Sequence, residues 1–312
     1  MALESRFADA SGVRLHYIEA GAGDPPVVLL HGLGSSVTKW RDTLPLIGAR
    51  RRGIAVDLPG FGLSEAPRAR YTLGFLAGGV RAFLDSIGVE RCVLVGNSLG
   101  GLVAMWIAAA WPERVAGLAL VDPALPLPAG ARPDASTSLR MAVACLPGVG
   151  EALYSAFVRF KSADDQLADG LRRNVADPSR LSAETLRRMH DESEQRRNRT
   201  ELRRPTLSAQ RQLVWMLTAR RAEVDRVAAS LKVPTLLLWG SEDRLVPLPT
   251  GEHWVGRIPG AELIVLEGAG HNPQMEFPDR FAELVLAFAD LSAGFVSAPG
   301  LSSPGRTRAA RG

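Results

Sequence analysis

The stretch Val93-Leu94-Val95-Gly96-Asn97-Ser98-Leu99-Gly100-Gly101, running on into Leu102-Val103-Ala104-Met105-Trp106-Ile107, constrains this chain more than any other part of it. An apolar, β-branched run that breaks at glycine and resumes without a gap reads as buried strand, sharp turn and buried helix. Gly96 and Gly100 flank Ser98 in a G-x-S-x-G pattern, and so tight a turn needs residues without Cβ where backbone passes close to backbone. Such a turn lifts the Ser98 hydroxyl clear of the strand. A glycine-rich turn carrying an idle surface serine would use the same letters, so the rest of the chain has to decide between the two.

Around this element strands and helices alternate. Residues 5–8 and 13–19 read as a hairpin, with Val13, Leu15 and Tyr17 alternating against Arg14 and His16. Val27–Leu30, 53–57, 92–97, 118–121, 233–240 and Glu262–Leu266 are short apolar strands of the kind buried on both faces of a parallel sheet. Helical spacing predicts helices over 40–47, 72–87, 102–111 and 250–257, and a last one in which Phe281, Leu284, Val285 and Phe288 share a stripe. After Asp122 the alternation stops. A proline-rich linker from Pro123 to Pro133 leads into helical patterns that last until about Leu231. The expected organisation is therefore a doubly wound α/β core over 1–124, a helical insertion over 125–231, the second part of the core over 232–291, and a disordered tail over 292–312 rich in Ser, Gly, Pro and Arg.

Composition closes off several function classes. The 312 residues are 46% hydrophobic, enough for a sizeable buried core. No apolar run is long enough to span a bilayer, and the first residues lack a basic segment followed by an apolar one, so a cytoplasmic protein is expected. Cys92 and Cys145 are the two cysteines, which argues against a disulfide framework. The net charge of +4 comes from arginines spread along the chain; those near 187–204 are interleaved with Asp191, Glu192, Glu194 and Glu201 as on a solvated helix face. No nucleic-acid module accompanies them, and no nucleic-acid partner is expected. The Gly32-Leu33-Gly34 turn lacks the third glycine of a dinucleotide fingerprint, where Val37 stands, and no phosphate-loop pattern occurs.

In a parallel sheet of this kind ligands bind beyond the carboxyl ends of the strands. His31, Asp57, Ser98, Asp122, Asp243 and His271 all follow predicted strands, so they converge on one edge. A serine hydroxyl needs a base within hydrogen-bond reach to become a nucleophile, and histidine, with a reference pKa near 6.5, is suited to the task. Of the five histidines, His16 lies in an early strand, His190 in the charged insertion, His253 in a helix, and His31 where it would shape the glycine turn. His271, on the glycine-rich loop after the last strand, is the candidate base. The base needs a carboxylate to fix its tautomer. Asp243 after the penultimate strand is the first candidate, with Asp122 its rival and Glu242 and Glu267 behind them.

Five segments in this order, H-G-L-G at 31–34, D-L-P-G-F-G-L-S at 57–64, G-N-S-L-G-G at 96–101, G-S-E-D-R-L-V-P at 240–247 and G-A-G-H at 268–271, together resemble the capped, lipase- and esterase-like group of the α/β-hydrolase fold. The resemblance covers about residues 10–290. It implies a mostly parallel eight-stranded sheet, a Ser98–His271–Asp243 triad, and an oxyanion hole made by the backbone N–H groups of Leu33 and Leu99. It implies hydrolysis of a carboxylic ester, a small-molecule substrate with an apolar acyl group, and no metal or organic cofactor. The inserted helices would roof the site; Gly32 beside the oxyanion hole and Tyr154, Phe157, Trp215 and Met216, with Leu146 and Leu217, are the expected lining. Carbon–carbon bond hydrolases acting on ring-cleavage products resemble the elbow closely but usually carry Trp after the base, where this chain has Asn272. A non-catalytic small-molecule receptor on the same fold is the third possibility.

Overall fold

The structure, a computed structural model, describes residues 3–131, 135–294 and 307–310. In chain order it runs β1 (Arg6–Asp9), β2 (Arg14–Ala20), β3 (Val27–Leu30), α1 (Leu44–Gly48), β4 (Gly53–Val56), α2 (Leu73–Ser86), β5 (Cys92–Asn97), α3 (Leu99–Ala110) and β6 (Val115–Val121). Six helices follow, α4 (Ala135–Cys145), α5 (Val149–Phe160), α6 (Ala163–Asn174), α7 (Ala183–Asn198), α8 (Arg203–Leu217) and α9 (Arg221–Ala229). The chain then returns to the sheet through β7 (Thr235–Gly240), α10 (Pro249–Val255), β8 (Glu262–Leu266), α11 (Pro273–Glu276), α12 (Pro278–Gly294) and β9 (Thr307–Ala310).

The strands form one sheet in the order β1-β2-β4-β3-β5-β6-β7-β8-β9, antiparallel from β1 through β2 to β4 and parallel elsewhere. Its central strands read as unbroken apolar runs because both faces are covered. In β3, Val28 and Leu30 join the core beneath α2 and α3, while Val27 and Leu29 join the opposite core with Phe281 and Val285 of α12. Alternate side chains thus enter different layers, and both layers are predominantly apolar.

Two sequence expectations need correction. A single helix over 40–47 is replaced by a 3-10 turn at Val37–Trp40, capped by the Ser36 hydroxyl, and the separate α1. Pro45 lies in the first turn of α1, and a proline deeper inside a helix that began at Trp40 would cost a hydrogen bond and clash with the preceding turn. The segment 292–312 is not irregular throughout: α12 extends to Gly294, and Thr307–Ala310 adds a ninth, parallel strand beside β8. An edge strand with unpaired backbone groups accepts such an addition from a segment free of glycine and proline. The remainder of that tail and the end of the proline-rich linker, residues 132–134, lie outside the described residues.

Among the described residues no helix is long and apolar enough to cross a membrane.

Candidate active site

The turn between β5 and α3 carries Ser98 at φ 55° and ψ −118°, a conformation that residues with a Cβ rarely adopt and that costs on the order of 1–3 kcal/mol. Two glycines make the turn possible. A Cβ at position 96 would lie 2.3 Å from the Gly100 carbonyl oxygen, and one at 100 would lie 2.4 Å from that of Leu30. Close packing of strand, turn and helix backbones therefore over-determines the strained serine. Gly32 sits against it, where a Cβ would fall 3.2 Å from the Ser98 Cβ.

Across the edge of the sheet, the loops after β7 and β8 bring Asp243 and His271 together, with Nδ1 of the ring 2.7 Å from Oδ2. Both side chains are buried. The other carboxylate oxygen of Asp243 accepts from the N–H groups of Leu245 and Val246, at 2.7 and 3.0 Å. A neutral His271 facing a carboxylate through Nδ1 carries its hydrogen there, which leaves Nε2 as the acceptor. Ser98 and His271 line one cavity of about 700 Å³ between the sheet edge and the inserted helices.

Leu33 lines the same cavity, and Leu99 opens α3 immediately after the serine. Among the described residues neither the Leu33 nor the Leu99 amide has an internal acceptor. Two backbone donors next to a strained serine are thus left unused by the fold, and one of them stands at a helix N-terminus, where negative charge is favoured.

Asp122 takes a different position from Asp243. Its Oδ1 accepts from the Gly240 N–H at 3.0 Å, and burial, reinforced by the adjacent Asp243 charge, holds its carboxyl well above the usual carboxylate range. Ligand atoms of Asp122, Asp243 and His271 lie within 4.8 Å of one another, which raises the question of a metal. Donors at about 2.1 Å from a tetrahedral ion stand about 3.4 Å apart; the 2.7 Å contact between His271 and Asp243 fits a direct hydrogen bond instead. Burial pushes the Cys92 thiol up to about 12, so it stays protonated and unreactive.

The remaining histidines are occupied elsewhere. His31 is buried, its Nδ1 donating to the Gly32 carbonyl at 2.8 Å while Nε2 accepts from the Leu58 N–H at 3.0 Å. His16 meets Asp57 at 2.7 Å, and Asp57 in turn accepts from the N–H groups of Val37 and Leu63, tying together the loops after β3 and β4. His190 and His253 lie away from the cavity lining.

Of the expected lining residues, Gly32, Tyr154, Phe157 and Leu217 face the cavity. Trp215, Met216 and Leu146 do not. On α8 the cavity side is formed by Thr206, Gln210, Leu213 and Leu217, spaced as one helical face. At about 100° per residue Trp215 is turned about 200° from Leu213, to the opposite side, where it is 47% exposed. Met216 points sideways into the core, and Leu146, beyond the end of α4, is exposed.

Two residues without a role in the sequence reading tie the site together. The Asn97 amide donates to the carbonyls of Val121 and His271, joining the serine turn to the histidine loop. Buried Glu276 accepts from the Gly270 N–H through one oxygen and from Ala176 and Asp177 through the other, clamping the histidine loop to the inserted helices. Asn97 was visible as a polar letter inside an otherwise apolar strand; the partners of Glu276 are too distant in sequence to leave a local signal. Glu276→Ala strips three backbone donors of their acceptor and is expected to destabilise the fold by about 2–3 kcal/mol, measurable as a lowered urea midpoint with unchanged slope.

The geometry coincides with a family assignment. A family model described as the alpha/beta hydrolase fold matches residues 25–278. The chain belongs to the α/β-hydrolase fold family. Among curated members of the family, a 2-hydroxy-6-oxononadienedioate/2-hydroxy-6-oxononatrienedioate hydrolase of Burkholderia vietnamiensis is 32% identical over 90% of this chain and 92% of its own length. Among solved α/β-hydrolase structures, a membrane phospholipase A superposes with a TM-score of 0.73 at 27% identity, covering 93% of this chain and 87% of that one. A meta-cleavage product hydrolase from Pseudomonas fluorescens gives 0.71 at 25% identity, covering 92% and 98%. Membership of this hydrolase superfamily supports an enzyme, and the named relatives leave the bond it acts on open.

Proposed function

We propose that this hydrolase cleaves a carboxylic ester through an acyl-enzyme on Ser98. One observation carries the reading: a strained serine shares its cavity with a buried histidine–aspartate pair, beside two backbone N–H groups that the fold leaves without acceptors. Ser98 Oγ attacks the ester carbonyl carbon while its proton passes to His271 Nε2. The carbonyl oxygen becomes an oxyanion held by the Leu33 and Leu99 amides, donors worth about 3 kcal/mol each in the transition state. As the intermediate collapses the acyl C–O bond breaks, and His271 returns the proton to the departing alcohol. Water then attacks the acyl-serine by the same route, giving up a proton to His271 and releasing the acid. Asp243 holds the ring in its Nδ1–H tautomer and stabilises the imidazolium. The inserted helices act as a cap, with Tyr154 and Phe157 offering apolar surface to the acyl group.

A second reading has specific support. Relatives of about 30% identity are named 2-hydroxy-6-oxononadienedioate/2-hydroxy-6-oxononatrienedioate hydrolases, and a substrate of that kind would place the scissile bond between two carbons. Asn272 weighs against it, since that group usually carries Trp after the base. A series of nitrophenyl esters of graded chain length, run beside a 2-hydroxy-6-oxo-dienoate, separates the readings. Ester turnover with little consumption of the dienoate is expected; the reverse would transfer the protein to the second group. An active-site fluorophosphonate should label the native protein, and absence of labelling would leave only a receptor role.

A further inference from the structure

Lys39, in the 3-10 turn that follows the Leu33 loop, lines the same cavity as Ser98 and His271. Its ammonium has one close contact, the Met189 sulfur at 3.8 Å, and no carboxylate within ion-pair distance among the described residues. A thioether is a poor acceptor for a charged donor, so the strongest hydrogen-bonding group on this wall of the cavity is unspent. Ser35, four residues earlier, also lines the cavity, and its buried hydroxyl has no partner either. Arg196 and Glu192 complete the wall. Arg196 donates to the Gly34 carbonyl at 3.0 Å, and Glu192 accepts from the Ser36 hydroxyl. On this wall two cations stand against one carboxylate, a net single positive charge, and Arg173 lines the cavity elsewhere.

Lys39 is half-buried, and a cation drawn out of water is costly unless something balances it. Loss of hydration brings the Lys39 ammonium down to about 8, with Glu192 opposing that change and Arg196 adding to it. The lysine is still charged at neutral pH, and the charge lacks a direct counter-ion inside the protein. We infer that Lys39 and the Ser35 hydroxyl form an anion subsite of the catalytic cavity, which selects substrates carrying a carboxylate away from the scissile carbonyl. The balance of charges suits a monoanion: Glu192 would repel a second negative charge brought to the same wall. The inference deepens the ester reading and rests on it for the identity of the scissile bond.

The test compares p-nitrophenyl hydrogen glutarate with its neutral methyl ester, and 4-carboxyphenyl butyrate with phenyl butyrate, so that the anion lies on the acyl side in one pair and on the leaving-group side in the other. The native enzyme should favour the anionic member of one pair, which locates the carboxylate. In Lys39→Met the ratio of kcat/KM for the anionic over the neutral member of that pair should fall about 10- to 100-fold, the worth of one charge-assisted hydrogen bond. Lys39→Arg should restore most of it. A ratio that is flat in the native enzyme, or unmoved by Lys39→Met, overturns the subsite. If none of the esters is cleaved, the ester reading fails separately, and calorimetric titration with monomethyl glutarate, a monoanion, decides the subsite: binding by the native protein that weakens in Lys39→Met upholds it, and absent or unaltered binding removes it.

Discussion

Ser98→Ala is expected to lower turnover of a nitrophenyl ester by about 10⁶-fold, the scale on which serine triads lose kcat when the nucleophile is removed. The variant keeps a Cβ at φ 55°, so the backbone strain of the turn is unchanged, and the missing hydroxyl makes no cap hydrogen bond to α3. The fold should therefore survive, and a melting temperature within a few degrees of the native one separates lost chemistry from lost structure. Fluorophosphonate labelling should vanish with the activity. Ser86→Ala, which removes only a hydroxyl bonded to the Phe83 carbonyl at the end of α2, serves as the serine control and should leave both unchanged. Activity within tenfold of native in Ser98→Ala would show that the strained turn serves packing and that the nucleophile lies elsewhere.

The core of the fold was legible because burial on both faces of a parallel strand leaves an unmistakable trace. Val27–Leu30 and Val115–Val121 contain no polar residue, since alternate side chains enter two separate cores. The serine turn was legible for a related reason: its glycines are dictated by backbone contacts within a dozen residues or across one neighbouring strand. Features fixed by distant partners were hidden. Glu276 finds its acceptor roles about 100 residues away at Ala176 and Asp177, and nothing near it in sequence announces them. The choice of Trp215 and Met216 as lining failed on rotation alone. An apolar cluster marks α8 as packed, but only the spatial arrangement shows that Leu213 and Leu217, not the residues between them, turn toward the cavity. Lys39 escaped notice because a lysine in a polar turn reads as solvated until the inserted helices are placed beside it.

The acid of the site is decided by comparing two asparagine variants, and the structure gives each a different expectation. In Asp243→Asn the side-chain oxygen remains the acceptor for Leu245 and Val246, so the new amide NH₂ is the group turned toward His271. A donor facing Nδ1 favours the tautomer with hydrogen on Nε2, which cannot take a proton from Ser98, and the imidazolium loses its counter-charge. A fall of about 10⁴-fold in kcat is expected, with the fold retained. Burial and the adjacent Asp243 charge both disfavour the carboxylate form of Asp122 and raise its pKa. Asn is close to an isostere of the neutral acid, and its oxygen can still accept from the Gly240 N–H. Asp122→Asn should therefore cost far less activity. The same reasoning fixes the sign of a stability effect. Between the ordinary carboxylate pKa of about 3.9 and the raised value in the fold, the native state holds a proton that the unfolded chain has released, so native stability falls as pH rises through that window. The asparagine variant lacks this penalty, and its stability relative to the native protein should improve as pH rises above about 4 in parallel urea titrations. Should Asp122→Asn instead prove the more damaging of the two to kcat, the ionised partner of His271 is Asp122, and the hydrogen bond seen to Asp243 is an auxiliary one.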